Sequence, residues 1–202
     1  MLRLLRIGLT AVTMTIVHTA DALADYQAGM MAFRFGDHKT AMKEFRPLAI
    51  QGNPAAQFKL YEIYVRGLGV RTDYKTAKQW LLAAAENGSA EAQLGLGLSY
   101  SQKSWLGIID VGKAMSWLNK AASQDSAAGA KAAMFIGAAH EHGHFSLEQD
   151  ISKSNAWYKR AKNMLLDLSR AGETEATTYL GHLYQYGYVG FTEDKQQAFD
   201  NY

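Results

Sequence analysis

The sequence has no cysteine and little net charge, and these two absences narrow the classes of protein that it can encode. Without cysteine, the fold must be held together by packing rather than by disulfide bridges, and thiolate ligands for a metal are excluded. The formal net charge is only +2, and Lys and Arg are scattered along the chain. We therefore expect no nucleic-acid partner, since binding one requires many cationic contacts to phosphates.

Common catalytic motifs are absent as well. The chain contains no S-x-x-K and no G-x-S-x-G sequence, either of which would point to a nucleophilic serine. Gly67-Leu68-Gly69 follows no predicted strand and precedes no lysine, so it does not predict a phosphate-binding loop. These absences indicate a protein that is not an enzyme and that needs no cofactor.

The first 24 residues have the layout of a secretory signal peptide. Arg3 and Arg6 form a basic start, the segment 7–17 is largely apolar, and Ala-Leu-Ala at 22–24 offers a cleavage site before Asp25. The apolar segment is well short of the ~20 residues that a membrane span requires. We therefore predict cleavage after Ala24, no stable membrane span in the mature protein, and a periplasmic or secreted location.

A helical repeat occupies most of the remaining chain. Asn53 and Pro54 predict the start of a helix, Gly67 predicts its end, and Asp73 predicts the cap of a second helix. The same positions return at intervals of 36 to 44 residues. The aligned sets are Ala56, Ala92, Ala132 and Ala176; Leu60, Leu96, Ile136 and Leu180; Tyr64, Tyr100, His140 and Tyr184; Asp73, Asp110, Asp150 and Asp194; and Trp80, Trp117 and Trp157. One helix pair cannot bury its apolar side alone, so the repeat predicts an all-α stack with these aromatic residues in the core.

This pattern resembles the Sel1-like repeat, a relative of the tetratricopeptide repeat. Its usual form is roughly A-x-x-x-L-G-x-x-Y-x-x-G-x-G-V-x-x-D-x-x-K-A-x-x-W-Y-x-x-A-A-x-x-G. The segment 55–88 follows this form, although Tyr61 replaces the first glycine, which Gly97, Gly137 and Gly181 restore in the later copies. The resemblance implies a right-handed α-solenoid of antiparallel helix pairs that acts as an adaptor or scaffold, often in bacterial envelopes.

The repeat register divides the chain into segments. After the signal peptide (1–24) come an N-terminal capping helix pair (25–52), repeat 1 (53–88), repeat 2 (89–124), an extended repeat 3 (125–172) and an incomplete repeat 4 (173–202). Pro47 falls inside the second helix of the capping pair, where it is expected to kink that helix or to end its regular hydrogen bonding. Repeat 4 stops within its second helix, so either the chain is truncated there or the last half-repeat leaves an apolar face that a partner or a second copy could cover.

The related tetratricopeptide fold indicates which residues line a concave groove. They lie two before and two after the leucine position, and one or two after the tyrosine position. Apolar anchors with a mixed polar rim suit a peptide or protein segment. The candidate groove residues are Phe58, Glu62, Val65, Arg66, Leu94, Leu98, Ser101, Gln102, Met134, Glu141, His142, His182, Gln185 and Tyr186, together with Ala138 and Thr178. We therefore expect a non-enzymatic protein-interaction scaffold of the bacterial envelope.

Two alternatives stay open. The first is a metal-dependent or hydrolytic enzyme centred on His140-Glu141-His142, since two histidines at i and i+4, His140 and His144, are a good start for a zinc site. Against it, Gly143 is expected to end the helix between them, and His140 occupies the tyrosine position of the repeat. The second alternative is a structural protein that self-assembles into homo-oligomers through its incomplete C-terminal repeat.

Overall fold

The computed structural model describes residues 23–102, 109–144 and 147–186, and every regular element in these ranges is an α-helix. Helix α1 covers 23–34. It is followed by α2 (His38–Ile50), α3 (Pro54–Arg66), α4 (Tyr74–Glu86), α5 (Ala90–Ser101), α6 (Val111–Ala122), α7 (Ala127–His142), α8 (Ile151–Arg170) and α9 (Thr174–Tyr186). The expected all-α solenoid of helix pairs is confirmed.

The residues that the repeat pattern assigns to helix ends stand at the helix ends. The Asn53 side chain accepts a hydrogen bond from the N–H of Ala56 at 3.0 Å, and α3 begins at Pro54. Gly67 has a φ of 67° and follows the last residue of α3, because the left-handed conformation that stops a helix costs glycine little. The Asp73 carboxylate caps α4 through the N–H groups of Lys75 and Thr76.

One backbone hydrogen bond recurs in the turns of repeats 1, 2 and 3. The N–H of the capping aspartate donates to the carbonyl at the tyrosine position of the preceding helix. The three bonds are Asp73 to Tyr64 at 3.1 Å, Asp110 to Tyr100 at 2.9 Å, and Asp150 to His140 at 2.8 Å. His140 thus has the same backbone role as the tyrosines of the earlier copies, which confirms its place in the register.

The chain forms two compact units, Met1–Asn87 and Gly88–Tyr202. In the first unit, α2 packs on α3 and α3 on α4 around Phe45, Leu60 and Ile63. Helix α1 covers this core through Tyr26, whose ring centroid lies 5.6 Å from that of Phe45. A Cβ at Gly29 would come within 2.6 Å of the Phe45 ring, so this glycine is what lets α1 approach so closely.

In the second unit, each helix packs on the next along the chain, and α5 also contacts α7. Its core has one cluster around Leu118 and Ile136 and another around Leu165, Leu180 and Leu183. Repeat glycines allow the helices of a pair to come together here. A Cβ at Gly97 would lie 2.7 Å from Leu118 Cγ, and one at Gly137 would lie 3.1 Å from the Tyr158 ring.

One expectation about individual residues is narrowed, and another needs correction. Of the two effects expected of Pro47, an end to the helix is excluded, because α2 continues to Ile50; Pro47 is exposed, so its ring lies on the solvent side of the helix. The three repeat tryptophans are only half-buried rather than core residues. The adjacent Leu118 points into the core instead. The Trp117 ring lies under the Lys120 ammonium, which is 4.2 Å from the ring centroid.

Several expectations fall on residues outside the described ranges. These are most of the signal peptide (1–22), the turn that contains Trp105, and the second helix of repeat 4 with Asp194. Among the helices that are described, none combines the length and the apolarity needed to cross a bilayer.

Candidate functional site

The first helix of each repeat buries one side and leaves the other accessible. The buried side carries the alanine and leucine positions, from Ala56 and Leu60 in α3 to Ala176 and Leu180 in α9, all at most 1% exposed. Every candidate groove residue with a described side chain is at least partly accessible. The half-buried ones are Phe58, Glu62, Val65, Leu94, Leu98, Ser101, Met134, Ala138 and Glu141, and the exposed ones are Arg66, Gln102, His142, Thr178, His182 and Gln185. The side chain of Tyr186 lies outside the described part.

In the first unit, the accessible side of α3 is aromatic with a neutralised charge pair. The Lys59 ammonium lies 2.6 Å from a Glu62 carboxylate oxygen and 5.2 Å from the ring centroid of Phe33 in α1. Phe58 contacts Tyr61 with ring centroids 5.4 Å apart. Glu62 therefore offers a paired carboxylate to a ligand rather than a free one.

In the second unit, α5, α7 and α9 lie side by side. Leu94 of α5 and Met134 of α7 pack on the same core cluster. An ion pair of 2.7 Å between Lys131 and Glu175 joins α7 to α9. Beside this pair is an open depression of about 440 Å³. It is lined by Lys131, Thr174, Glu175, Thr178, Tyr179 and His182. We call the accessible side of α5, α7 and α9 the unit 2 face.

The Glu141 side chain on this face is held by the second helix of its own repeat. The Tyr158 hydroxyl in α8 donates a 2.8 Å hydrogen bond to Glu141 Oε2. Burial of the ring, and then this bond to a carboxylate, raise the pKa of the Tyr158 hydroxyl, so it remains a donor at neutral pH. His142 Nε2 lies 3.9 Å from the same oxygen. Glu141 is thus a fixed acceptor on the unit 2 face.

The histidine cluster does not form a metal centre in the described part of the chain. Residues 140–144 have the H-E-x-x-H spacing, which binds zinc when both histidines lie on one helix face. Here α7 ends at His142, and Gly143 follows with a φ of 64°, so His144 lies beyond the helix. In residues 23–102, 109–144 and 147–186, no three His, Asp or Glu side chains are placed to hold a metal ion together.

The structure also places residues on the unit 2 face that the repeat pattern did not single out. Lys131 lies 5.0 Å from the Tyr179 ring centroid, and Phe135 of α7 is 45% exposed. The spacing of Lys131 and Glu175 was a usable signal, because it equals that of His140 and Tyr184. Phe135 has no such signal, since an aromatic residue beside a buried isoleucine predicts core as readily as surface.

Comparisons with known proteins agree with this geometry. The Sel1 repeat family model matches residues 54–89, 90–126, 130–164 and 174–202. The chain therefore belongs to the Sel1 repeat family, whose members are typically protein-interaction scaffolds rather than enzymes.

Solved structures show the same fold. The crystal structure of a Sel1 repeat protein from Oxalobacter formigenes has a TM-score of 0.60 and 32% identity, covering 87% of this chain and 67% of that one. A Sel1 repeat protein from Klebsiella pneumoniae has a TM-score of 0.52 and 25% identity, covering 91% of this chain and 85% of that one. The protective antigen c5321 of uropathogenic Escherichia coli has a TM-score of 0.60 at 23% identity, covering 93% of this chain and 46% of that one.

Among curated proteins, the chain is similar to chitin synthase regulatory factor 3 of Schizosaccharomyces pombe. The two are 34% identical over 134 residues, which is 63% of this chain. The match spans only 14% of the length of that relative.

Proposed function

We propose that the protein is an exported bacterial scaffold that binds a peptide or protein segment on the first helices of its repeats. The observation that carries the proposal is the division of α5, α7 and α9 into a buried side and an accessible side. Because the buried side already packs the repeats together, the accessible side is the one that a binding partner can reach. The scaffold role of the Sel1 repeat family supports the same conclusion.

The chemistry of the unit 2 face suits an extended or helical protein segment. Leu94, Leu98 and Met134 are half-buried apolar anchors, and His142, His182 and Gln185 form an exposed polar rim. Apolar centres with polar rims are typical of protein-recognition surfaces. The depression beside Lys131 and Glu175 is open and has room for a side chain of the bound segment.

A crosslinking pull-down from envelope and secreted fractions tests this proposal. The interaction variant carries His142→Glu, His182→Glu and Gln185→Glu, which add three charges to the unit 2 face. The matched control carries Ser152→Glu, Asn155→Glu and Asn163→Glu, which add the same charges to exposed positions of α8. We expect partners that the wild type and the control both recover and that the interaction variant loses. If all three baits recover the same proteins, or none, the unit 2 face is not the binding surface.

The location is proposed from the N-terminal sequence alone. A basic start, a short apolar segment and Ala-Leu-Ala at 22–24 support export with cleavage after Ala24. Intact-mass measurement of protein from the periplasm and the culture medium tests it, and we expect a chain that begins at Asp25. A full-length chain confined to the cytoplasm would contradict the proposal.

A further inference from the structure

Three cationic side chains lie together on the solvent side of α2, although they are not adjacent in the sequence. Lys39, Lys43 and Arg46 are all exposed, and their spacings of four and three residues place them on one helix face. None of the three takes part in an ion pair within the described residues. Glu44, which is half-buried, lies about a quarter turn away from Lys43 around the helix. The Asp37 carboxylate at the start of α2 interacts electrostatically with Lys39 but forms no ion pair with it in the described part of the chain, so this face is predominantly positive.

Apolar side chains lie between these cations. Ile50 is 73% exposed, and Pro47 is exposed as well. Together with half-buried Met42, they and the three cations line an open depression of about 430 Å³. We call these six residues the α2 patch. The α2 patch therefore combines an apolar depression with three exposed cations, so it offers a partner both an apolar contact and positive charge.

We propose that the α2 patch binds an acidic linear segment of a partner protein. An apolar side chain of that segment lies in the depression against Pro47 and Ile50, and flanking carboxylates pair with Lys39, Lys43 and Arg46. The charge of the patch requires an anionic partner, and its concave apolar floor requires a protruding apolar group. A flat anionic bilayer supplies the charge but leaves the depression unfilled. The α2 patch lies on the second helix of the capping pair. It is therefore separate from the binding surface proposed above for the first helices of the repeats.

An NMR titration of the full ¹⁵N-labelled chain tests the proposal. The probe is a synthetic capped peptide, Glu-Glu-Leu-Glu-Glu, and the comparison peptide has serine in place of leucine. We expect the first peptide to shift the backbone amides of His38–Ile50 and the serine peptide to bind more weakly. Binding is expected to weaken as ionic strength rises, because exposed ion pairs are screened.

Matched triple variants test whether binding depends on the α2 patch or only on the number of cations in the first unit. Lys39→Glu, Lys43→Glu and Arg46→Glu together are expected to weaken binding by about tenfold or more, the combined factor of three ordinary exposed ion pairs. The control, Arg71→Glu, Lys75→Glu and Lys78→Glu, removes three cations from other parts of the same unit and is expected to leave binding unchanged. Ile50→Ser leaves the charges in place and is expected to weaken binding several-fold.

Three results would overturn the proposal. The first is equal loss of binding in the two triple variants, and the second is a set of peptide-induced shifts that lies outside α2. The third comes from cosedimentation with phosphatidylglycerol vesicles and with neutral phosphatidylcholine vesicles. If the chain binds only the anionic vesicles, loses this binding in the Lys39, Lys43 and Arg46 variant, and shows no shifts with the peptide, the α2 patch binds membranes.

Discussion

Lys131 and Glu175 occupy the same position in successive repeats, and their side chains form an ion pair of 2.7 Å between α7 and α9. They are 44 residues apart, as are His140 and Tyr184. Equivalent positions on neighbouring first helices thus face each other directly. Aligning the repeats and comparing the charged residues at one position therefore identifies ion pairs between neighbouring first helices.

This ion pair is expected to contribute little to stability. A double-mutant cycle with Lys131→Ala and Glu175→Ala is predicted to give a coupling energy of roughly 0.5 kcal/mol, since the Glu175 side chain is 62% exposed and well solvated. Urea unfolding at low and high salt measures it, and added salt is expected to reduce it. The Arg170 and Asp167 pair, with side chains 75% and 74% exposed, serves as a control with coupling near zero. A coupling that salt does not change would contradict this prediction.

Gln57 is predicted to be important for the stability of the first unit. Its buried amide donates to the Ala49 carbonyl at 2.9 Å and accepts from the Asn87 side chain at 3.0 Å. Gln57→Ala leaves both partners without this bond, so we expect a loss of about 1–3 kcal/mol in the free energy of unfolding. Urea unfolding checks this value. Gln79→Ala changes an exposed glutamine of α4 and should have almost no effect; equal effects would show that the buried bonds contribute nothing.

Replacing Leu118 by alanine is predicted to destabilise the protein more than replacing Trp117, although tryptophan is the larger side chain. Leu118 is fully buried, so Leu118→Ala should cost about 2–5 kcal/mol. Trp117 is half-buried beneath Lys120, so Trp117→Ala should cost less, about 1–2 kcal/mol from partial burial and the loss of a cation–π contact. His142→Ala, at an exposed site, should barely change stability. Chemical denaturation ranks the three variants, and a larger loss for Trp117 than for Leu118 would place the tryptophan in the core after all.

The capping aspartates are predicted to make stability depend on acid pH. The N–H groups of Lys113 and Lys153 donate to Asp110 and Asp150, and these bonds lower the pKa of each carboxyl. Since the folded pKa is below the unfolded one, the stabilisation is present above the unfolded pKa and is lost as pH falls through the folded pKa. We expect the melting temperature to decline below about pH 4.

Asparagine variants test this dependence. Asp110→Asn with Asp150→Asn keeps the cap but removes the titration, so the melting temperature should vary less with acid pH than in the wild type. Asp125→Asn, at an exposed aspartate that caps no helix, is the control and should retain the wild-type profile. Parallel profiles for all three proteins would show that cap ionisation does not set the acid limit.

Local signals in the sequence were enough to predict the helix pairs. The helix start and stop signals act only within a few residues of their own positions, so their effect can be predicted from the local sequence. These signals are Asn53, Pro54, Gly67 and Asp73. The backbone bond from Asp150 to His140 confirms the register even where the tyrosine is replaced. The Sel1 repeat family was predicted from the same positions.

The remaining features depend on how each helix is rotated about its axis. Lys39, Lys43 and Arg46 are separated by other residues in the sequence and become one face only when the buried side of α2 is known. The half-burial of Trp117 has the same origin, because one step along the helix decides whether leucine or tryptophan points into the core. Gly143 predicted where helix α7 ends, but the sequence did not predict that the Tyr158 hydroxyl would donate a hydrogen bond to Glu141.

Gly97 closely approaches Leu118, and Gly137 closely approaches Tyr158, so repeats 2 and 3 each have their own matched contact between a glycine of the first helix and a large side chain of the second. Tyr61 stands at the glycine position of repeat 1, so the two helices of that repeat meet through a different combination. Recombining this chain with its relatives at the loops between repeats would preserve every such pair. A crossover in the turn between the two helices of one repeat would join a glycine helix to an unsuited partner, and the resulting chimaera would carry either a void or a clash.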